Sequence, residues 1–170
     1  RYQARLWRIA KGSHLTLFPN LNVNDPVWRK LIRDVRFRRA LSLAVDRFEL
    51  NQVIYYGLAI EAQNTVLPES TLFRKEYQKA WAKHDPSQAN RLLDSLGLDK
   101  RNDSGIRLLP DGRPIEIIVE STGESTEEAD ILELVADQWA KVGVKMLTKP
   151  SQREVMRNRI YAGEPLMAIS

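Results

Sequence analysis

The sequence contains no cysteine, and this absence excludes several kinds of chemistry. A chain of 170 residues without cysteine has no disulfide framework, no thiolate nucleophile and no cysteine-ligated metal site. The absence fits any compartment, including an oxidising one in which a stray thiol is a liability. Histidine is almost as scarce, because His14 and His84 are the only two. We expect both to be structural or exposed, since neither belongs to a metal-binding or catalytic motif.

Long hydrophobic runs and catalytic motifs are missing as well. No stretch approaches the roughly 18 uninterrupted apolar residues of a membrane-spanning helix. The sequence has no Gly-x-Ser-x-Gly motif, no P-loop and no dinucleotide-binding glycine pattern. The acidic pair Glu127 and Glu128 falls in the first turn of a predicted helix, where the helix dipole favours negative charge. We therefore predict a protein that is not an enzyme, with no catalytic residues, no cofactor and no metal site.

Charge of one sign is in only slight excess. The 26 basic and 22 acidic residues give a net charge of +4. Acidic and basic residues alternate along almost every segment, which is typical of solvated helix faces, whereas nucleic-acid-binding proteins concentrate basic residues on one face. We predict no nucleic-acid partner. A basic module that binds nucleic acid or an acidic partner remains the alternative.

The arginine-rich stretch from Arg33 to Gly57 begins with the periodicity of an amphipathic helix. Asp34 is the predicted N-cap. Arg38 and Arg39 fall on the side opposite the apolar face, so the pattern favours a scaffold role for them over phosphate binding. The apolar face is predicted to consist of Phe37, Ala40, Leu41, Ala44 and Phe48.

Further helices are marked by capping residues. Asp46 is predicted to cap a helix over residues 47–56 that ends at Gly57, and Asp85 followed by Pro86 is predicted to start a helix that ends at Gly97. Two Ser-x-x-Glu patterns predict capping boxes. These patterns are Ser125 with Glu128, before a helix whose buried stripe is Ile131, Leu132, Val135, Trp139 and Val142, and Ser151 with Glu154, before a helix up to Gly163.

Strands alternate with these helices. Alternating hydrophobicity predicts strands at 2–7, 14–20, 115–119 and 144–149, and a final apolar run at 166–170. Pro110-Asp111-Gly112 predicts the turn of a hairpin, residues 20–26 a polar exit that stops a strand, and residues 62–71 a loop. The spacing of strands and helices implies a parallel or mixed sheet covered by helices. We therefore predict an α/β fold, with a mixed sheet flanked by helices, as a single lobe over residues 1–170.

Two polar segments at strand ends are candidate ligand contacts. One follows a buried strand and leads into a helix N-terminus, the edge where ligands bind in open α/β sheets. An ordinary strand–helix loop is the competing interpretation. The other is an asparagine-rich strand exit whose amides can donate and accept hydrogen bonds. The predicted ligand-binding residues are Glu120, Ser121, Thr122 and Gly123 in the first segment, and Asn20, Asn22 and Asn24 in the second.

The order of these motifs resembles the family 5 extracellular solute-binding proteins, which are the oligopeptide, dipeptide and nickel receptors of ABC importers. The phrases that carry the resemblance are "DVRFRRALSLAVDRFELNQVIYYG", "HDPSQANRLLDSLGL", "LLPDGRPIEIIVES" and "ADQWAKVGVKM". The first departs from the family pattern at Phe37, where valine is usual. It matches that pattern at Asp34, Arg36, Arg39, Ala40, Leu41, Ala44, Asp46, Arg47 and Gly57.

The resemblance implies a larger protein than this chain. Members of the family close two α/β lobes about a hinge onto a peptide or similar small solute, and this segment resembles the C-terminal lobe. We expect both ends to be cut from a longer protein, with the main ligand anchors beyond Ser170 and in the other lobe, and with any signal peptide outside this sequence.

The resemblance also implies the partners and the location. A receptor of this family is a monomer in the periplasm or at the cell exterior, and it delivers its solute to an ABC permease in the membrane without catalysing a reaction. A ligand-sensing domain of a transcriptional regulator remains a further alternative, since related domains occur in that setting. The resemblance does not specify which solute is bound.

Overall fold

Four strands form one mixed sheet in the order β1-β4-β2-β3 in the computed structural model, which describes residues 2–5 and 11–170. The strands are β1 (Leu17–Pro19), β2 (Glu116–Ser121), β3 (Lys145–Pro150) and β4 (Met167–Ile169). The helices are α1 (Pro26–Arg33), α2 (Val35–Ala44), α3 (Arg47–Tyr55), α4 (Lys75–Lys79), α5 (Pro86–Ser95), α6 (Thr126–Ala140) and α7 (Arg153–Tyr161). Among the described residues, no helix is both long and apolar enough to cross a membrane.

The sheet is built from two parallel crossovers and one antiparallel edge. Strand β2 pairs in parallel with β3 on one side and with β4 on the other, and β1 closes the sheet antiparallel to β4. Helix α6 connects β2 to β3, and α7 connects β3 to β4. Right-handed crossovers in opposite directions place these two helices on opposite faces. The prediction of a mixed sheet flanked by helices is confirmed.

The main core lies between the sheet, α2 and α6. Every predicted residue of the α6 stripe is buried, and Val119 of β2 joins the same cluster. The Trp139 indole N–H donates a hydrogen bond of 3.1 Å to the Leu41 carbonyl, so α6 is tied to α2 by a polar contact within the apolar layer. The predicted α2 face is buried except at Phe48, which is 62% exposed. That part of the prediction is wrong because α2 ends at Ala44 and Phe48 belongs to α3.

Three aspartates cap helices as predicted, but the serine caps differ. Asp34, Asp46 and Asp85 each accept a hydrogen bond from a backbone N–H of the following first turn. Ser125 accepts one from the N–H of Glu128 at 3.3 Å. Ser151 does not cap α7, whose N-cap is Gln152, so this prediction is wrong. The helix begins too late for the Ser151 hydroxyl to reach its first-turn N–H groups.

Some elements were missed or misplaced by the sequence patterns. Asp25 and Pro26 do not merely stop a strand, because Asp25 caps α1 and Pro26 is its first residue. The predicted hairpin is reduced to a single antiparallel bridge between Leu108 and Pro114. Residues 2–5 are not in a strand, and the rest of that predicted strand lies outside the described residues. Helix α4 had no recognised signal.

Arg107 is a buried charged side chain that joins three parts of the fold. Its guanidinium donates to the Asp94 carboxylate at 2.6 Å and to the Asn90 side-chain oxygen at 2.8 Å, both on α5. It also donates to the Leu98 carbonyl at 2.6 Å and to the Val142 carbonyl at 2.8 Å. The side chain therefore connects α5 and the segment after it to the end of α6.

We predict that Arg107→Met lowers the free energy of unfolding by about 3–5 kcal/mol, because it leaves buried hydrogen-bond acceptors without donors. Urea denaturation followed by circular dichroism measures this loss. The control is Arg91→Met, an exposed arginine of α5, which should change stability by no more than about 0.5 kcal/mol. Equal losses for the two variants would contradict the role assigned to Arg107.

Asp25 gives the fold a defined pH dependence. Its carboxylate caps α1 and contacts the Arg113 guanidinium at 2.6 Å. The hydrogen bond from Arg113, with that from the Trp28 N–H, lowers the pKa of Asp25 from 3.8 to about 2. A lowered pKa in the folded state means that the contribution is fully present above 3.8 and is lost as the pH falls through about 2.

We therefore predict that the wild type loses more stability than Asp25→Asn when the pH is lowered from about 5 to about 2.5. Asparagine keeps the helix cap but removes the titrating charge. Urea unfolding at the two pH values tests this, and an identical loss in both proteins would show that Asp25 does not contribute to acid sensitivity.

Candidate functional site

The candidate site is the edge of the sheet where β2 and β3 end side by side. Ser121 is buried, and its carbonyl accepts a hydrogen bond of 3.0 Å from the N–H of Ser151. Thr122 is half-buried and Gly123 is exposed, and the chain then enters α6. Gly123 has a φ of +67°, and a β-carbon added there would lie 2.9 Å from the β-carbon of Pro150. This close approach fixes the path of the loop against the end of β3.

Glu120 is not exposed to a ligand at this edge. The side chain is 2% exposed and accepts hydrogen bonds from Arg159 of α7, at 2.7 Å from Nη2 and 3.0 Å from Nε. Lys149, its register partner on β3, lies 3.9 Å away. The hydrogen bond that Arg159 donates to Glu120 raises the pKa of Arg159 above its usual range. The carboxylate therefore links α7 to β2, directly before the Ser121–Gly123 loop.

Two buried oxygen atoms belong to residues on either side of this loop. Among the described residues, Glu128 Oε2 and Ser151 Oγ are the buried side-chain polar atoms without a hydrogen-bond partner. Ser151 directly follows β3, and Glu128 lies in the first turn of α6. The expected capping box is therefore only half formed, because Glu128 returns no side-chain bond. Unpaired buried polar atoms are uncommon in folded proteins, and functional sites are one place where they are found.

The asparagine-rich segment lies at the opposite end of the sheet. Because β1 runs antiparallel to β4 and β4 parallel to β2, the exit of β1 is remote from the exit of β2. Asn20 donates to the Pro165 carbonyl at 2.9 Å, and Asn24 donates to the Ala162 carbonyl at 3.1 Å. Asn22 accepts from Arg33 at 2.8 Å. These amides tie the β1–α1 connection to the end of α7 and to α1, and their role as ligand contacts stays a prediction.

The two histidines each contact a carboxylate. His14 lies 3.1 Å from the carboxylate of Glu127, which also accepts a hydrogen bond of 2.5 Å from the Tyr55 hydroxyl. The tyrosine hydrogen bond lowers the pKa of Glu127, whereas burial raises the pKa of Tyr55. His84 contacts Asp46 at 3.0 Å. The first contact links the segment before β1 to the N-terminus of α6, and the second links the segment before α5 to the N-terminus of α3.

The chemistry available at the site is that of hydrogen bonding. The loop offers backbone groups and short hydroxyl side chains at a helix N-terminus. Within residues 2–5 and 11–170, no three His, Cys, Asp or Glu side chains are placed to hold a metal ion. The sequence patterns placed the loop at the strand end but missed Arg159 and Lys149, the cationic partners of Glu120.

Comparison with known proteins finds one family model that matches nearly the whole chain. The family model of the bacterial extracellular solute-binding proteins, family 5, middle region, matches residues 4–170. The dipeptide-binding protein of Escherichia coli K12 is 28% identical over 138 residues, which cover 79% of this chain and 24% of that protein. The oligopeptide-binding protein OppA of Lactococcus lactis subsp. lactis is 27% identical over 128 residues, covering 75% of this chain and 21% of that protein.

The fold agrees with these sequence matches. A solved structure of an oligopeptide-binding protein OppA superposes with a TM-score of 0.89 at 38% identity, covering 96% of this chain and 26% of that one. The chain therefore spans about a quarter of the length of the proteins it matches.

We predict that Gly123→Ala destabilises the fold more than Gly112→Ala does. Both positions have positive φ, which costs a non-glycine residue about 1–2 kcal/mol. Only at Gly123 does a β-carbon also meet a neighbour, so a further 1–3 kcal/mol, roughly, is expected from overpacking. Urea unfolding of the two variants measures the difference. Equal values would mean that the contact with Pro150 relaxes freely.

Proposed function

Since the chain belongs to the bacterial extracellular solute-binding proteins of family 5, we propose that it is part of a substrate-binding component that captures peptides or similar small solutes for an ABC importer. The observation that carries the proposal is the family match over residues 4–170, and the fold likeness to an oligopeptide-binding protein supports it. The proposed contribution of this chain is one wall of the ligand cleft.

The geometry of the β2 edge suits binding without catalysis. Ser121–Gly123 presents backbone groups and the hydroxyl groups of two short side chains, and the preceding carboxylate, Glu120, is paired with Arg159. Backbone N–H groups at a helix N-terminus recognise carboxylate and carbonyl oxygens of any peptide, whatever its sequence. Such a surface fits a receptor that divides its contacts with the ligand between two lobes. We infer that the remaining contacts come from outside this chain.

The arginines of α2 support this proposal over nucleic-acid binding. Arg36 pairs with Asp34 at 2.8 Å. Arg38 donates to the Ile32 carbonyl at 2.6 Å, and the Arg39 guanidinium lies 4.3 Å from the centroid of a Trp81 ring. Each guanidinium is therefore directed to a partner within the fold. A phosphate-binding surface would instead leave these groups free on one face.

The partners and location follow from the same proposal. Relatives are named as dipeptide- and oligopeptide-binding proteins, and the family description places them outside the cell. We propose a monomeric receptor in the periplasm or at the cell exterior that docks on a membrane permease of the ABC type.

Short peptides should bind this chain weakly, with dissociation constants in the millimolar range, about −4 kcal/mol, because one wall supplies only part of the contacts. Amide cross-peaks in ¹H–¹⁵N NMR spectra, recorded with a pool of tri- and pentapeptides, locate the contact. We expect shifts at Ser121–Gly123 that are reduced in Thr122→Val. The matched control is Thr148→Val, which removes an exposed hydroxyl from β3 and should leave the shifts unchanged.

Three outcomes would contradict parts of this proposal. An absence of shifts at the loop would exclude it as a peptide contact. Micromolar affinity would show that the chain alone encloses the ligand. Binding of duplex DNA that weakens steeply with salt would favour the nucleic-acid alternative.

A further inference from the structure

A cavity separate from the Ser121–Gly123 loop lies on the α6 side of the sheet. Its volume is about 410 Å³, within the range of roughly 300–1,000 Å³ that small-molecule sites occupy. None of the residues predicted as ligand contacts lines it. Its apolar wall comes mainly from α2, α6 and β4 and includes Leu41, Val45, Ile131, Val135, Trp139 and Ile169.

Two loop segments, residues 13–16 before β1 and residues 59–64, line the cavity as well. The segments meet where a β-carbon added to Gly12 would lie 1.5 Å from the Thr65 carbonyl oxygen, so only glycine allows the two backbones to approach this closely. The cavity is thus lined partly by helices and strands and partly by loops. Loops open more readily than helices and strands, which favours entry of a small molecule on the loop side.

Two arginines line the cavity without a carboxylate partner. Neither Arg38 nor Arg47 lies within 4.0 Å of an Asp or Glu oxygen in the part of the chain that the structure describes. Both arginines are half-buried. Arg47 donates to the Ser42 carbonyl and hydroxyl at 3.0 and 2.9 Å and to the Ala82 carbonyl at 3.2 Å. Burial lowers the pKa of Arg47.

Arg47 keeps donors that the fold does not use. A guanidinium has five N–H groups, so the three bonds of Arg47 leave two without an acceptor among the described residues. Glu61 also lines the cavity, but it is exposed, and its carboxylate accepts from Asn51 at 3.2 Å. The charged lining therefore favours an anion next to an apolar chamber.

We propose that this cavity binds a small anionic amphiphile, a medium-chain alkyl carboxylate, with its chain against the apolar wall and its carboxylate on Arg47. A guanidinium matches a carboxylate in charge and in the geometry of its donors, and a partly desolvated site strengthens that pairing. The alkyl chain contributes through the apolar surface it removes from water. Recognition of both ends distinguishes this site from the hydrogen-bonding loop at the end of β2.

Octanoate is the probe for the first experiment. The Trp139 indole N–H reports on the cavity wall, and its ¹H–¹⁵N cross-peak should shift saturably with octanoate. Hexanoate should bind roughly tenfold more weakly, as expected for two fewer buried CH₂ groups. Octylammonium should bind at least about tenfold more weakly than octanoate, because it places a cation beside two arginines. This comparison uses the wild-type chain and so does not depend on any variant folding.

Variants then separate the charge from the cavity. Arg47→Met should reduce the affinity for octanoate at least about tenfold while leaving the affinity for uncharged octanol unchanged. The matched control is Arg36→Met, an exposed arginine of α2 that does not line the cavity, which should bind octanoate like the wild type. Equal binding of octanoate and octylammonium, no dependence on chain length, or no shift of Trp139 would each overturn the proposal.

Discussion

The structure depends on the burial of α6 between the sheet and α2. Val119 from β2 and Val135 from α6 belong to one core cluster, and Trp139 both fills that cluster and donates its indole N–H to α2. The packing of α6 on β2 fixes the position of β2, and β3 and β4 pair with β2 on its two sides. The position of the carboxyl end of β2, with its loop into α6, is a consequence of this packing.

Local signals were sufficient where one side chain acts within a few residues. Asp34, Asp46 and Asp85 were recognisable as caps because an N-cap bond spans only the first turn. The stripe of α6 was recognisable because its spacing repeats over a long helix. Ambiguity arose where one residue serves two purposes: Asp25 before Pro26 both ends a strand exit and starts α1. Phe48 continued the period of α2, although a helix break precedes it.

The candidate site shows what sequence patterns cannot supply. The position of the Ser121–Gly123 loop follows from a strand leading into a helix, but the state of Glu120 does not. Its partner Arg159 is remote in sequence and belongs to α7, which lies on the face of the sheet opposite α6. One signal was present, since Glu116 and Glu120 have the same spacing as Lys145 and Lys149, which are opposite them in the parallel register. That match becomes visible only after the two strands are paired.

The two outer strands of this sheet limit how an extended peptide can bind. One outer strand, β3, carries Lys145 and Lys149 and finishes at Pro150, while the other, β1, has three residues and finishes at Pro19. Short, proline-terminated and lysine-bearing borders resist the addition of a further strand. A peptide reaching this part of the molecule therefore finds little free main chain for β-augmentation. If the chain contacts a peptide as proposed, that contact is therefore expected at loops such as Ser121–Gly123 and not along the outer strands.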